Sequence, residues 1–136
     1  MLGPEIAAYL AAQGYGTVNV NGFYNIVPAD PDVLFSVLEY GGEADEPDLG
    51  KGGATTRLEF ARFQVLMRGI RDDSDGPALR SLNARVTLVA VVNQVLSGVR
   101  YLGIDCLGPP NLLERDENFR VYWTVNYRAF KVPSTS

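Results

Sequence analysis

Histidine is absent from the 136 residues of this sequence, and the only cysteine is Cys106. Histidine is the side chain most often used for proton transfer near pH 7, so its absence removes serine–histidine and cysteine–histidine nucleophile pairs. A single cysteine excludes an intramolecular disulfide framework and a cysteine-based zinc site. Burial of apolar side chains, without covalent links, must therefore stabilise the fold. Hydrolases that depend on these nucleophile pairs are excluded.

Long apolar runs and an excess of basic charge are also missing. No run approaches the ~20 apolar residues of a membrane span, and residues 1–14 lack the basic region of a signal peptide. We therefore expect a soluble protein that is made in a cytoplasm and contacts no membrane. The chain has 12 basic and 16 acidic side chains, a net charge of −4, which disfavours electrostatic binding of nucleic acid.

What remains is the composition of an ordinary globular domain, with 46% apolar and 21% charged residues. Chains divide into separate cores only well beyond ~250 residues, so we expect one domain covering residues 1–136. The sequence shows neither an internal repeat nor an interdomain linker.

The first half of the chain predicts one short helix and three strands. Residues 4–13 have helical apolar spacing, with proline in the first turn and Gly14 as a stop. Residues 17–20 alternate briefly, and residues 33–40 are apolar on both faces, which is typical of a central strand. Residues 57–70 return to strand composition, but their apolar positions change phase, so we expect a bulge near Ala61 or Arg62.

Between the last two of these strands, residues 41–56 are rich in glycine, aspartate, glutamate and proline. Such a segment has almost nothing to bury, and it predicts a long flexible acidic loop. Unstructured loops of more than ~12 residues are uncommon in compact domains and are often functional.

The second half predicts a principal helix followed by two antiparallel strands, over residues 99–107 and 119–132. The helix would begin after Asp75 as its N-cap and end near Gly98. Its apolar stripe consists of Leu79, Leu82, Val86, Val89, Ala90, Val92 and Leu96. The fold class expected is α+β: one mostly antiparallel sheet of about four or five strands covered by one long helix, with a short N-terminal helix and the acidic loop.

No motif in the sequence carries chemistry. Residues 49–56 superficially resemble a phosphate-binding loop, but Lys51 is followed by glycine instead of serine or threonine. Asp72, Asp73 and Asp75 lack the later ligands that a calcium loop requires, and they suit the start of a helix. The sequence therefore implies no catalytic residue, no metal and no cofactor.

Three stretches resemble a known family. They are LEYGG over residues 38–42, FQVLMRG over residues 63–69, and VRYLGIDCLGPPNLLERDENFRVYWTVNYRA over residues 99–129. In order and character they are similar to the small minor capsid or tail-terminator proteins of long-tailed, siphovirus-type bacteriophages. The most specific block is 112–128, where an Arg-Asp-Glu-Asn turn follows a paired-proline loop and precedes an alternating strand. The resemblance covers nearly the whole chain.

The resemblance implies a virion structural protein and not an enzyme. Such a subunit forms a homohexameric ring on the head-proximal end of the tail tube, stops its growth, and meets the head connector or stopper protein. Genomic DNA would pass through the ring without specific binding, and a negative or weakly charged lumen would not hold its phosphates. The expected location is the tail or neck of a virion made in the host bacterial cytoplasm.

A closed ring of identical subunits needs two complementary patches on each copy. The residues that we predict at these interfaces lie in and beside the acidic loop, together with possible charge partners on the following strand. They are Glu43, Asp45, Glu46, Asp48, Lys51, Arg57, Arg62 and Arg68.

Two other functions remain open at this point. One is another neck, head–tail joining or minor capsid protein of similar fold. The other, from a different class, is a small carboxylate-dependent enzyme, for which the sequence offers no convergent set of groups. A ligand-binding module would need a pocket that a sequence cannot display.

Overall fold

The computed structural model describes residues 2–47, 57–113 and 115–132. Its elements are α1 (Leu2–Ala12), β1 (Gly22–Tyr24), β2 (Leu34–Pro47), β3 (Arg57–Arg71), α2 (Asp75–Val89), β4 (Val92–Leu96), β5 (Val99–Cys106), β6 (Asn111–Leu112) and β7 (Arg120–Lys131). The strands form one sheet in the order β1-β2-β3-β7-β5-β4, with β6 paired to β7. The β1–β2 pair is parallel, and the other pairs are antiparallel.

The predicted α+β class and the mostly antiparallel sheet are confirmed, but two details are wrong. The described residues form seven strands instead of four or five. They also form two helices of 11 and 15 residues instead of one long helix beside a short one. The additional strands are mostly short, and short segments give little periodic signal in a sequence. No helix in the described ranges has the length and apolar character needed to span a membrane.

The sheet curls around α1, which contacts β1 and β2 near one sheet edge and β4 at the other. The core between the helices and the sheet includes Ile6 and Leu10 of α1 with Phe35 of β2 and Tyr127 of β7, all fully buried. A smaller cluster of Phe23, Leu34 and Leu66 belongs to the other face, because side chains alternate along a strand. The predicted strand over residues 33–40 is therefore buried on both faces from Leu34 to Val37, whereas Val33, Glu39 and Tyr40 are exposed.

Helix α2 differs from its prediction in both its end and its orientation. It ends at Val89 because residues 92–96 form β4, which pairs with β5 through a turn at Ser97 and Gly98, both at positive φ. The side chains that α2 buries are Pro77, Ser81, Ala84 and Leu88. Small residues on that side allow the helix to approach the sheet closely, and the longer apolar stripe of residues 79–89 faces away. At the N-terminus, the Asp73 carboxylate accepts the Gly76 N–H at 3.0 Å, so Asp73 has the capping role predicted for Asp75.

The predicted acidic loop is shorter than expected, since β2 continues through residues 41–47. These residues pair with the start of β3, where Glu43 lies opposite Phe60 and Pro47 lies opposite Arg57. The register shifts lie on the β2 side, after Tyr40, whereas β3 pairs with β7 without interruption over residues 59–68. The bulge predicted near Ala61 therefore belongs to the partner strand. Pairing with β3 overrides the weak strand propensity of these glycine and acidic residues.

Candidate functional site

A buried charged cluster joins the first helix to the last strand. The Glu5 carboxylate accepts a hydrogen bond from the Tyr101 hydroxyl at 2.6 Å and one from the Lys131 ammonium at 3.2 Å. Burial acts to raise the pKa of Glu5, but the Tyr101 hydrogen bond and the Lys131 charge outweigh burial and lower it. Burial, followed by the hydrogen bond with Glu5, raises the pKa of Tyr101. Both shifts lead away from neutral pH, so this arrangement suits a structural tie better than proton transfer.

Two buried arginines hold a connecting segment against the sheet. Arg68 is 1% exposed and donates to the backbone carbonyls of Ala29, Pro31 and Asp32. Arg120 is 5% exposed, donates to the same Ala29 carbonyl, and lies 3.2 Å from the Asp32 carboxylate. Each guanidinium is thus satisfied by several acceptors, as a buried charge requires. The two side chains fix residues 29–32 to β3 and β7.

Asp116 organises the Arg-Asp-Glu-Asn turn that the sequence singled out. Its carboxylate accepts the backbone N–H groups of Asn118 and Arg120 at 3.0 and 2.9 Å, and the Tyr122 hydroxyl at 2.8 Å. It also accepts the Arg120 Nε–H at 2.8 Å. Burial acts to raise the pKa of Asp116, but these hydrogen bonds hold it well below its usual range. The turn therefore depends on an ionised carboxylate that shares Arg120 with residues 29–32.

Two grooves formed by described residues are shallow and open. One, of about 450 Å³, lies between the Asp72–Ser74 turn and Leu112, Leu113, Arg115 and Val121. The other, of about 220 Å³, lies between α1 and β4. Among the described residues, no group of three or more histidine, cysteine, aspartate or glutamate side chains is placed to hold a metal. Cys106 is half-buried and donates to the Gly108 carbonyl at 2.9 Å.

The structure places the predicted interface residues on one hairpin, as far as it describes them. Glu43, Asp45 and Glu46 lie in β2, and Arg57 begins β3. Asp48 and Lys51 lie outside the described residues.

The two arginines predicted as charge partners have different surroundings. Arg62 is exposed, and it lies opposite Tyr40 on β2 and Arg128 on β7. Arg68 is enclosed by the carbonyls of residues 29–32, so its guanidinium is used within the subunit.

An exposed apolar surface on α2 is the feature that the sequence reading missed. Its side chains are Leu79, Leu82, Val86 and Val89 on α2 and Val92 at the start of β4. We call these five residues the α2–β4 face. The sequence does contain these residues as an apolar stripe, but a stripe alone does not show which side of a helix faces the core.

The fold can be compared with solved structures through its strand order, the curl of its sheet and the positions of its two helices. The fold is similar to that of a virion protein. A chain of the virion of a native gene transfer agent particle matches with a TM-score of 0.65 and 16% sequence identity, covering 96% of each chain. At this identity the likeness shows the fold. No protein-family model and no curated protein matches the sequence.

The match extends over nearly the whole of both chains, so the likeness in fold is not confined to one part of the molecule. The buried clusters at Glu5, Arg68 and Asp116 connect separate elements of this fold. The α2–β4 face, in contrast, is exposed on the surface of the described chain.

Proposed function

We propose that this chain is a structural protein of a phage or phage-like virion, without enzymatic activity. The observation that supports the proposal is the likeness in fold, over 96% of both chains, to a component of a gene transfer agent virion. The sequence resemblance to small minor capsid and tail-terminator proteins supports the same class independently. A protein of this kind works through noncovalent surfaces, and the open, shallow grooves are compatible with that role.

Within that class, the role that we propose is tail terminator. Copies of the chain would form a hexameric ring at the head-proximal end of the tail tube, contacting the tube protein on one side and the head connector or stopper on the other. Genomic DNA would pass through the ring, and the net charge of −4 would keep its phosphates from adhering. The protein would be made in the cytoplasm of the bacterial host and reside in the neck or tail.

The acidic hairpin is the proposed contact region for neighbouring subunits or for the lumen. We use this name for Glu43, Asp45 and Glu46 of β2 together with Asp48, Lys51, Arg57 and Arg62, which follow them in the sequence. Arg68 is left out of this set, because its donors serve residues 29–32 of its own subunit. Charge pairs at an interface mainly steer association and fix register, so their loss would slow assembly and weaken its accuracy.

Electron imaging of intact particles tests the location. The expected result is a sixfold density at the upper end of the tail that binds an antibody against this chain. Density along the tube wall, or at the connector without contact with the tube, would instead favour another neck or joining protein. Absence from virions would contradict a structural role altogether.

A charge-neutralised chain tests the role of the hairpin. Replacing Glu43, Asp45, Glu46 and Asp48 together by their amides should give tails of altered length or heads without tails. The matched control replaces Glu117, which is exposed in the turn before β7, by glutamine. Normal tails from the fourfold variant would contradict the proposed contact region. Loss of a catalytic turnover with assembly intact would favour the enzyme alternative.

A further inference from the structure

The α2–β4 face presents an apolar stripe to solvent. Leu79, Leu82, Val86 and Val89 are spaced three, four and three residues apart, which places them on one side of the helix. Their exposed fractions are 59%, 46%, 69% and 40%, and Val92 continues the row at 69%. Together they expose roughly 400 Å² of apolar surface, within the size range of the largest patch on a typical monomer, which is often functional. The stripe is on the side opposite the buried residues of α2.

The electrostatic character of this region is distinct from that of the rest of the chain. Residues 76–99 contain no aspartate, glutamate or lysine, and their only charged residues are Arg80 and Arg85. All 16 acidic residues therefore lie elsewhere in the sequence. An exposed helix normally carries charges of both signs for solubility. A surface that is apolar and weakly positive fits an acidic partner, and other parts of this same chain are acidic.

The neighbouring sheet edge has the same character. In the described sheet, β4 is the terminal strand, and it has β5 on one side only. Four of its five residues, Val92 to Val95, are exposed and uncharged. Edge strands of soluble proteins are usually protected by lysine, proline or a covering element. This edge strand begins three positions after the end of α2, so its exposed apolar side chains directly follow the helix stripe in the chain.

The size of the face helps to identify that partner. A stable protein interface buries about 800 Å² on each side, with an apolar centre and a polar rim. The stripe would supply roughly half of that area as a centre, and Arg85, Asn93 and Gln94 would supply part of the rim. Contact of two such faces with each other would bring positively charged rims together. A different, acidic surface of the second copy is the better complement, and such head-to-tail contacts are the kind that close a ring.

We infer that the α2–β4 face is the surface by which one copy of this chain docks onto an acidic surface of the next copy. The inference rests on the proposed function, because a ring requires two different patches on each subunit. It assigns the apolar half of that contact to residues of the stripe that the sequence predicts on the long helix.

Photo-crosslinking in assembled particles tests the inference. Benzoylphenylalanine is introduced at Val86 in the full chain, and at the exposed Gln13 on the end of α1 as the control. The expected result is a crosslinked pair of this chain from position 86 and not from position 13, with the linked peptide mapping to an acidic segment. A link only to a different virion protein, or no link in particles that contain the chain, would overturn the inference and leave the proposed function intact. A link of position 86 to α2 of the second copy would overturn the head-to-tail arrangement.

The same measurement on purified protein separates the two proposals. Specific crosslinking of the purified chain to itself, together with its absence from particles, would contradict the proposed function and support the docking surface. Val86→Glu provides a second test, because its side chain is 69% exposed and the fold should tolerate the charge. We expect an unchanged melting temperature and self-association weakened at least about tenfold, while Gln13→Glu has no effect. Wild-type association of Val86→Glu would overturn the inference.

Discussion

Neutralising Glu5 provides a direct test of the tie between the first helix and the last strand. Glu5→Gln keeps the shape of the side chain but removes the charge opposite Lys131. The two side chains are 8% and 5% exposed, so water cannot readily replace the lost partner. Removing one member of a buried ion pair typically costs about 3–5 kcal/mol. Glu59 lies 3.9 Å from the Lys131 ammonium and offsets part of this loss, so we expect about 2–4 kcal/mol.

The assay is urea unfolding at pH 7, with the free energy of unfolding taken from the midpoint at an unchanged slope. Lys131→Met and the double variant Glu5→Gln/Lys131→Met complete a double-mutant cycle. The double variant should cost clearly less than the sum of the single variants, because neither charge is then left buried alone. A cost of Glu5→Gln below about 1 kcal/mol, or strict additivity in the cycle, would refute the reasoning.

The pH dependence of the free energy of unfolding provides a further test of the Glu5–Lys131 pair. The pKa of Glu5 is lower in the folded protein than its ordinary value of 4.5. Its contribution to stability is therefore fully present above that value, and it is lost as the pH falls through the lowered folded pKa. The difference between wild type and Glu5→Gln should shrink on acidification. A difference that stays constant down to acid unfolding would contradict the assignment.

Substitutions at two further positions, Asp116 and Gly98, test local features. Asp116→Ala should destabilise the protein by roughly 2–3 kcal/mol in urea unfolding. Asp116→Asn should cost less, because asparagine keeps an acceptor for the backbone N–H groups but not the charge opposite Arg120. Equal costs for the two variants would contradict a role for that charge. Gly98→Ala should destabilise the protein by about 1 kcal/mol, because Gly98 has φ +81, a backbone conformation that alanine disfavours. A Cβ at this position would meet nothing within 4 Å, so no steric clash contributes to the cost. An unchanged melting temperature would contradict this conformational origin.

Parts of the fold could be read directly from the sequence. The strict alternation in β7 and the glycine–proline punctuation after β5 located two strands, and their antiparallel pairing is confirmed. Helix α1 was predicted from Pro4 to Gln13 and is found from Leu2 to Ala12. These elements were predictable because local patterning and tertiary packing agree in them.

The orientation of α2 could not be read in the same way. A period of 3.6 identifies a helix with an apolar stripe, and the usual inference is that the stripe faces the core. Here Ser81 and Ala84 face the sheet, whereas Leu82 and Val86 face solvent. Such an inversion is understandable if the stripe is reserved for another molecule, because then both sides of the helix become buried.

The buried charged clusters could not be predicted from the sequence for a different reason. Glu5 appears in the sequence as an ordinary charge near a helix N-terminus, where it needs no explanation. Its partner Lys131 is 126 positions away. Likewise, the roles of Arg68 and Arg120 depend on the path of residues 29–32. Contacts over such separations leave no periodic trace, so composition and spacing cannot reveal them.

The contact between Glu5 and Lys131 joins parts of the chain that are synthesised at different times. The ribosome makes α1 before β7, so the carboxylate of Glu5 lacks its ammonium partner until 126 further residues have been added. Chains released early would retain an unmatched charge in a half-formed interior, and proteases that sample open states would remove them.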